Sequence, residues 1–261
     1  MKGKRILDVA VVIALLWALL GLVYTPFDPS AQSFRGEALT GSSLRHWMGI
    51  DGLGRDFASR LWRGAGNTVA MAGTALVASF LMAAGLLLAA ESPGQCLKRV
   101  VDVVVGIWVA VPVLFIGLVL LVFMAPSAAT LVVATALGAV PLAFRQLRIY
   151  WLEQRNALYV QASEALGARG RRLFFFTLWP NLQADVIGLG KLIFSICVLE
   201  LSGLAFLGLI GDPDFPELGA ILRQNQAYLF RNPLLVVWPG VALCGLLTLV
   251  HLSKISKFGD R

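Results

Sequence analysis

Few residues in this sequence are of the types that build catalytic or metal sites. The two histidines, His46 and His251, fall on opposite sides of the membrane in the topology predicted below, which excludes a paired-histidine metal site. The three cysteines, Cys96, Cys197 and Cys244, are scattered and indicate neither a disulfide framework nor a zinc site. A Gly-x-x-x-x-Gly-Lys-Ser/Thr loop is absent, so any ATP must be bound by a partner. The sequence therefore predicts a protein with no catalytic site, no metal site and no cofactor of its own.

Charged residues are also scarce, at 14%, whereas 58% of the residues are hydrophobic and the mean hydropathy is +0.78. A soluble core cannot hide that much apolar surface, so the chain is predicted to be an integral membrane protein. Six apolar runs are each close to the roughly 20 residues that an α-helix needs to cross a bilayer. They are Ile6 to Val23, Thr68 to Ala90, Val100 to Met124, Ser127 to Phe144, Ala184 to Ile210, and Pro233 to Leu252. We therefore predict an all-α membrane protein with six transmembrane helices and short outer helices, forming a single domain over residues 1–261.

The first apolar run resembles a signal peptide in one respect, because Lys2, Lys4 and Arg5 precede it. No small-x-small cleavage site follows before Tyr24, however. We therefore predict a retained first helix.

Lysine and arginine residues indicate how the helices are oriented. With the amino terminus inside, fourteen of the 22 lie in inner segments, seven lie in outer segments, and Lys191 lies within a span. The positive-inside rule then predicts that both termini are cytoplasmic. The tail 1–5 and the loop 145–183 would lie inside, and segments 24–67 and 211–232 would lie outside.

The net charge of +7 does not indicate nucleic-acid binding. The basic residues are spread over loops that flank the membrane, and no recognition motif accompanies them. Anionic headgroups of membrane lipids are their predicted partners.

The outer segment 24–67 changes from turn residues to a helical pattern at Asp56, which is a good N-cap residue. We predict a short interfacial helix after it that leads into the second span, with Arg60 and Arg63 reaching toward headgroups. Asp56 and Arg60, four residues apart, are predicted to pair on its surface. A solvated linker with a helix cap is the alternative.

The inner loop 145–183 combines small and apolar residues with a basic stretch. Contacts are offered by Tyr159, Val160, Ala162, Ala165 and Leu166, and the basic residues that follow are Arg169, Arg171 and Arg172. Gly167 suits the end of a short helix. Such a helix can lie across a groove of a partner and transmit movement. A basic loop that only fixes the topology is the alternative.

The fifth span carries two charged residues, Lys191 and Glu200, at a depth where charge is costly. A helical rotation of about 100° per residue places them on opposite faces, so they do not pair with each other. Lys191 is predicted to snorkel toward the cytoplasm. Glu200 must be neutral, paired across helices or facing a wet cavity. A structural hydrogen bond between helices is the alternative to a role beside a transport path.

Two prolines interrupt the apolar runs. Pro112 is predicted to kink the third span and Pro141 the fourth, because proline removes a backbone hydrogen bond. The second span is rich in alanine and glycine, which favours close helix packing.

The outer segment is similar to the signature of one transporter family. The stretch Gly-Ile-Asp-Gly-Leu-Gly-Arg-Asp from Gly49 to Asp56, followed by Ser59-Arg60-Leu61, resembles "G-T-D-x-x-G-R-D-x-x-S-R". That signature belongs to the dipeptide, oligopeptide and nickel permeases of ABC importers, and in particular to their second-permease branch. Ile50 stands where the family usually has Thr. The matching positions are Gly49, Asp51, Gly54, Arg55, Asp56, Ser59 and Arg60.

The inner loop resembles the loop that such permeases offer to their ATPase subunits. Gln161-Ala162-Ser163 is followed by Gly167 and, thirteen residues later, by Pro180. The chain departs from the family at Gln161 to Ser163, where Glu-Ala-Ala is common, and at Trp179, where Leu is common. The resemblance implies an ATPase-coupling loop made of Tyr159, Gln161, Ala162, Ser163, Glu164, Ala165, Leu166, Gly167 and Pro180.

Two further stretches resemble the family. The stretch from Glu200 to Leu209 is similar to a segment beside the translocation path, which implies a pathway position for Glu200. The stretch 211–220 is similar to an outer connector, with Leu218 where Trp is usual.

The resemblance implies the type I ABC importer permease fold in a bacterial inner membrane. The implied partners are a second homologous permease, two ATPase subunits that bind ATP and Mg, and an extracytoplasmic substrate-binding protein. The implied cargo is a small peptide or a metal chelate of the nickel or metallophore type. The alternative is an ATP-independent channel or a membrane scaffold protein.

Overall fold

The computed structural model describes residues 12–92 and 94–252. All the regular secondary structure in these ranges is helical, and loops connect the helices. Within these ranges no strand forms, and the only β-type pairing is an isolated antiparallel bridge between Ile50 and Asp56. The helices are α1 (residues 12–20), α2 (Phe57–Ala90), α3 (Gln95–Val109), α4 (Val113–Phe123), α5 (Ala128–Arg155), α6 (Leu158–Ala165), α7 (Gly170–Leu173), α8 (Trp179–Phe206), α9 (Leu218–Asn225) and α10 (Leu234–Leu252). A π-helical segment, Phe174–Leu178, joins α7 to α8, and short 3₁₀ turns lie at Arg35–Glu37 and Gln226–Tyr228.

Four stretches of the described chain are long and apolar enough to cross a membrane. They are α2, α5, the continuous run Gly170–Phe206 that includes α8, and α10. The bent pair of α3 and α4 makes a fifth if it counts as one span. The first predicted run, Ile6 to Val23, begins outside the described residues, so the count of six stays a prediction.

The third predicted span is broken rather than kinked. The axes of α3 and α4 differ by 93°. Pro112 lies at the break in an extended conformation, with φ −62° and ψ 140°. A proline disfavours helical geometry at the preceding residue and cannot donate to the preceding turn, which explains the position of the break. Pro141, in contrast, lies buried inside α5, which continues to Arg155.

The prediction of a separate interfacial helix before the second span is wrong. Asp56 caps a single helix, α2, whose 34 residues extend for about 50 Å. Two glycines let neighbours approach its first turns. A Cβ added at Gly64 would lie 2.7 Å from Ile221 Cδ1, and one at Gly66 would lie 2.7 Å from the Ala18 carbonyl oxygen. Packing against other elements therefore holds this stretch in line with the rest of α2.

The core lies where α2, α5 and α8 pack together. Small residues dominate it, which allows the close approach that the sequence predicts for the second span. Its fully buried members include Ala72, Ala75 and Ala83 on α2, Ala139 and Ala143 on α5, and Ile193, Cys197 and Val198 on α8. Cys197 acts here as a small apolar side chain, as the sequence predicts.

Candidate functional site

Two regions at opposite ends of the helix bundle contain the residues that the sequence singles out. One is a cap formed by residues 24–56 and 207–233, which covers the start of α2 and the end of α8. The other is the short helix α6 with the turn that follows it, between the end of α5 and the start of α8.

Two glycines of the predicted signature shape the loop that enters α2. Gly49 and Gly54 have φ values of +79° and +80°, a region that favours glycine. A Cβ at Gly49 would lie 2.5 Å from the Thr40 carbonyl oxygen, and one at Gly54 would lie 2.5 Å from the Arg35 nitrogen. Both positions therefore require glycine for two reasons, the backbone conformation and the lack of space.

Asp51 and Arg55 form a buried ion pair inside this loop. Asp51 Oδ1 accepts hydrogen bonds from the backbone nitrogens of Leu53 at 2.9 Å and Arg55 at 3.0 Å. Asp51 Oδ2 accepts one from Arg55 Nε at 2.7 Å. Both side chains are 1% exposed, so the two charges compensate each other in a dry environment.

The second half of the cap completes this network. Arg55 donates to Asp214 Oδ1 at 2.8 Å and to Gln224 Oε1 at 3.0 Å. Arg60, which is fully buried, donates to the same Gln224 oxygen at 2.7 Å and to the Asp214 carbonyl at 3.2 Å. Two arginines therefore tie the entry of α2 to the connector between α8 and α10.

Arg60 does not reach toward headgroups, and it does not pair with Asp56 on a surface, so both predictions are wrong. The alternative of a solvated linker does not hold for residues 49–51 and 54–57, which are buried, whereas residues 24–45 are exposed or half-buried. Asp56 acts as the predicted N-cap and accepts from the Ser59 nitrogen at 2.8 Å. Its other oxygen lies 2.7 Å from His46 Nδ1, a contact that the sequence did not indicate. Arg63 does not reach headgroups either, since it donates to backbone carbonyls at the end of the α1 segment.

Glu217 is a buried residue of the cap that the sequence analysis missed. Its Oε1 accepts hydrogen bonds from the hydroxyls of Thr68 on α2 at 2.9 Å and Ser202 on α8 at 2.6 Å. Its Oε2 accepts from the Ala220 nitrogen at 3.0 Å, which caps α9. Burial raises the pKa of this carboxyl, and the hydrogen bonds oppose that shift. Among the described residues no cation pairs with it. The only sequence signal is an acidic residue just before a short helix.

The packing around Glu217 is tight. A Cβ added at Gly219 would lie 1.9 Å from the Ser202 carbonyl oxygen. The start of α9 is therefore held against α8 by close backbone contact as well as by the carboxyl group.

At the other end of the bundle, α6 ends as predicted at Gly167. Gly167 has a φ of +88°, and its nitrogen donates to the Glu164 carbonyl at 2.9 Å. The Ala168 nitrogen donates to the Ser163 carbonyl at 3.0 Å. These two bonds form a Schellman motif, which stops the helix and satisfies its last carbonyls.

Most of α6 faces outward. The Leu158 and Leu166 side chains are 81% and 90% exposed. Val160, which the sequence analysis included among the docking contacts, is 1% exposed and holds α6 against its own chain. The surface that remains available consists of Tyr159, Gln161, Ala162, Glu164, Ala165, Leu166 and Gly167, with Ser163 half-buried between them.

Tyr159 ties α6 to the end of α5, because its hydroxyl donates to Gln154 Oε1. Burial raises the pKa of this hydroxyl, and the nearby Asn181 side chain at the start of α8 opposes that shift. Pro180, next to Asn181, is exposed in the first turn of α8, directly after the π-helical segment Phe174–Leu178. The coupling role of these residues stays a prediction.

Glu200 lies half-buried near the middle of the apolar stretch of α8. Its Oε2 atom is buried and has no hydrogen-bond partner among the described residues. Lys191 lies elsewhere on α8, on a cavity of about 980 Å³ that α1, α2 and α10 also line. A pathway position for Glu200 stays a prediction.

The sequence of this chain is similar to those of known transport proteins. The family model "Binding-protein-dependent transport system inner membrane component" matches residues 82–257. The di/tripeptide transport system permease protein DppC of Pseudomonas aeruginosa is 33% identical over 253 residues, which are 93% of this chain and 80% of that protein. The dipeptide transport system permease protein DppC of Escherichia coli K12 is 33% identical over 248 residues, 93% of this chain and 82% of that protein.

A solved structure supports the fold. The MetNI methionine ABC transporter in an inward-facing conformation contains a chain that superposes with a TM-score of 0.60 at 21% identity, over 74% of this chain and 92% of that chain. At this identity the likeness concerns the fold alone.

The family model and the two relatives at 33% identity define the class of this protein as a membrane permease. The chain belongs to the family of binding-protein-dependent transport system inner membrane components, the permeases of ABC importers. The predicted family and the type I permease fold are thereby confirmed, as is the prediction of a permease subunit rather than an enzyme. Membership also implies an inner-membrane location and, in general, ATPase and substrate-binding partners.

Proposed function

We propose that this chain is one of two permease subunits of an importer for small peptides. Two relatives at 33% identity are named as dipeptide or di/tripeptide permeases, which favours peptides over nickel or metallophore complexes. The proposed assembly contains a second homologous permease, two ATPase subunits that bind ATP and Mg, and a substrate-binding protein outside the membrane. Both termini would be cytoplasmic, which places α6 inside and the cap outside.

The observation that carries this proposal is the exposed, firmly ended helix α6. A short helix with apolar side chains such as Leu158 and Leu166 on its surface suits a groove in a partner. Here that partner would be an ATPase subunit. The exposed leucines contribute little to the fold of this chain, so their surface is free for docking.

The same geometry supports a route for movement from the ATPase to the membrane. Val160 anchors α6 to its own chain, and α6 packs against α7 and the π-helical segment that leads into α8, with Tyr159 near Asn181. A displacement of α6 would therefore be passed to α8 as a rigid body. When ATP closes the ATPase pair, this motion would switch the helices between inward and outward access.

Glu200 is proposed to line the path of the substrate. Its Oε2 atom is buried without a partner within the described residues, and an ionisable group left unpaired at membrane depth indicates a functional position. Glu200→Gln keeps the shape, so we expect it to leave assembly intact and to lower peptide uptake severalfold. Unchanged uptake would remove Glu200 from the path.

The proposal is tested by co-purification. The chain is co-expressed with its genomic neighbours, solubilised in detergent and recovered through an affinity tag. Leu166→Asp and Gly167→Asp are compared with Leu44→Asp. Leu44 is 99% exposed in the cap, so it is a matched control for Leu166 at the opposite end of the bundle.

We expect the wild type and Leu44→Asp to retain two ATPase subunits and a second permease, while Leu166→Asp and Gly167→Asp lose the ATPases alone. If no ATPase copurifies with the wild type while the second permease stays bound, the coupling proposal fails. An ATP-independent channel or a membrane scaffold would then be the better description.

A further inference from the structure

A groove runs between α3 and α5 at the end of the bundle that carries α6. Two ion pairs connect α5 to its neighbours in this region. Arg155 Nη1 at the end of α5 lies 3.2 Å from Glu91 Oε2 just after α2, and Arg148 on α5 pairs with Asp102 on α3. Between the helices lies a cavity of about 330 Å³. Val105, Gly106 and Phe144 contribute apolar surface to it, and Arg145 and Arg148 contribute charge.

Positive charge accumulates along this groove. A second cavity of about 500 Å³ on α3 is lined by Lys98 and Arg99 and shares Asp102 with the first. Among the described residues, Asp102 is the only acidic one that lines either cavity, and it already pairs with Arg148. The other three cations, Lys98, Arg99 and Arg145, are exposed and form no ion pair with the described residues.

Apolar surface lies directly beside these cations. Val103, Val104 and Ile107, one or two turns further along α3, are 56%, 48% and 65% exposed. In water such a surface would be unfavourable, but within a bilayer it faces acyl chains. Three unpaired cations next to an exposed apolar strip match the two parts of one ligand, a phosphate and a hydrocarbon chain.

We propose that this groove binds an anionic phospholipid. The phosphate group would lie among Lys98, Arg99 and Arg145, and an acyl chain would lie along the valines of α3. Basic pockets between membrane helices near the cytoplasmic surface bind anionic headgroups in this way. The proposed topology serves only to assign the lipid to the inner leaflet. The proposed lipid site involves neither the ATPase subunits nor the transported substrate.

The test measures lipids bound to the purified full-length chain by native mass spectrometry in neutral detergent. The probes are phosphatidylglycerol and phosphatidylcholine with identical acyl chains. The triple variant Lys98→Gln/Arg99→Gln/Arg145→Gln is compared with Arg169→Gln/Arg171→Gln/Arg172→Gln. The control removes the same charge from exposed positions on the neighbouring inner loop.

We expect the wild type and the control to retain phosphatidylglycerol over phosphatidylcholine by at least about tenfold, and the groove variant to lose that preference. Equal retention by the groove variant would overturn the proposal, and so would an equal loss in the control, which would indicate net charge alone. Arg145→Gln by itself should weaken retention severalfold, which guards against a folding defect in the triple variant.

A soluble competitor distinguishes a lipid from a free phosphate. Glycerol 3-phosphate carries a phosphate without acyl chains, and we expect it to leave bound phosphatidylglycerol in place at equal concentration. Displacement at that concentration would show a site for soluble anions and would overturn the assignment to lipid. A detergent micelle has no separate inner and outer leaflets, so these results do not depend on the proposed topology.

Discussion

The cap and the helix α6 differ in where their side chains find partners. In the cap, Arg55 and Arg60 are buried and hydrogen-bonded to groups from three segments of the chain, and the glycines admit close backbone contact. In α6 most side chains apart from Val160 point outward, and a Cβ added at Gly167 would meet no atom within 4 Å. In the cap most buried polar groups find partners within the chain, although His46 Nε2 and Arg60 Nε have no hydrogen bond among the described residues, and such a network serves stability. A region whose apolar groups are left exposed is available to a partner.

The largest expected effect comes from breaking the cap network. Arg55→Met leaves Asp51 buried without its closest cation. The next cation, Arg60, is farther away, with its Nε 3.8 Å from Asp51 Oδ2. Removing one partner of a buried ion pair costs about 3–5 kcal/mol, so we expect a large fall in the thermal unfolding midpoint in detergent. Arg231→Met, at an exposed arginine of the same connector, should leave the midpoint unchanged. Similar midpoints for both variants would contradict a structural role for Arg55.

A matched pair of glycine substitutions compares the two regions directly. Gly49→Ala and Gly167→Ala both force alanine into a left-handed conformation, which costs about 1–2 kcal/mol. Only at Gly49 does the added Cβ also collide with a backbone oxygen, at 2.5 Å, which adds about 1–3 kcal/mol. We therefore expect Gly49→Ala to lower the unfolding midpoint by about twice as much.

Unfolding in detergent followed by intrinsic fluorescence provides the measurement for this pair. In the ATPase co-purification assay we expect the larger effect from the other variant. Gly167→Ala should weaken ATPase retention, while Gly49→Ala should leave it intact in the fraction that folds. Equal behaviour in both assays would remove the distinction between a packed cap and a docking helix.

Local signals in the sequence predicted the parts of these regions that depend on neighbouring residues. Asp56 caps a helix through a bond to a residue three positions away, and Gly167 ends α6 through bonds within the same turn. The sequence placed an interruption at Pro112 for an equally local reason, although it predicted a kink where the span is broken. These features follow from backbone chemistry that a short stretch of sequence contains.

The burial of the charged residues depends on partners that are distant in the sequence. Arg55 bonds to Asp214 and Gln224, which are 159 and 169 residues away. Glu217 bonds to Thr68, 149 residues away. A hydropathy pattern assigns such arginines to a surface because an unpaired charge belongs there, and only the folded chain supplies their acceptors. For the same reason the sequence did not show that Val160 faces inward.

The smallest expected effect concerns Glu217. Its pKa is raised in the folded chain, so the folded state binds a proton more readily than the unfolded state does. The contribution of this group to stability is therefore fully present below the unfolded pKa, near about 4.3 for glutamate, and is lost as the pH rises through the raised value. We expect the cap to become more stable on mild acidification.

Glu217→Gln tests this pH dependence without removing the hydrogen bonds. The amide oxygen can accept from the Ala220 nitrogen, while the amide nitrogen faces the hydroxyls of Thr68 and Ser202, which can act as acceptors. Thr68 already has a second acceptor for its own proton in the Gly64 carbonyl at 2.9 Å. We therefore expect stability within about 1 kcal/mol of the wild type at neutral pH. Unfolding midpoints measured between pH 5 and pH 8 should be flatter for Glu217→Gln than for the wild type, and parallel curves would show that Glu217 keeps one protonation state across this range.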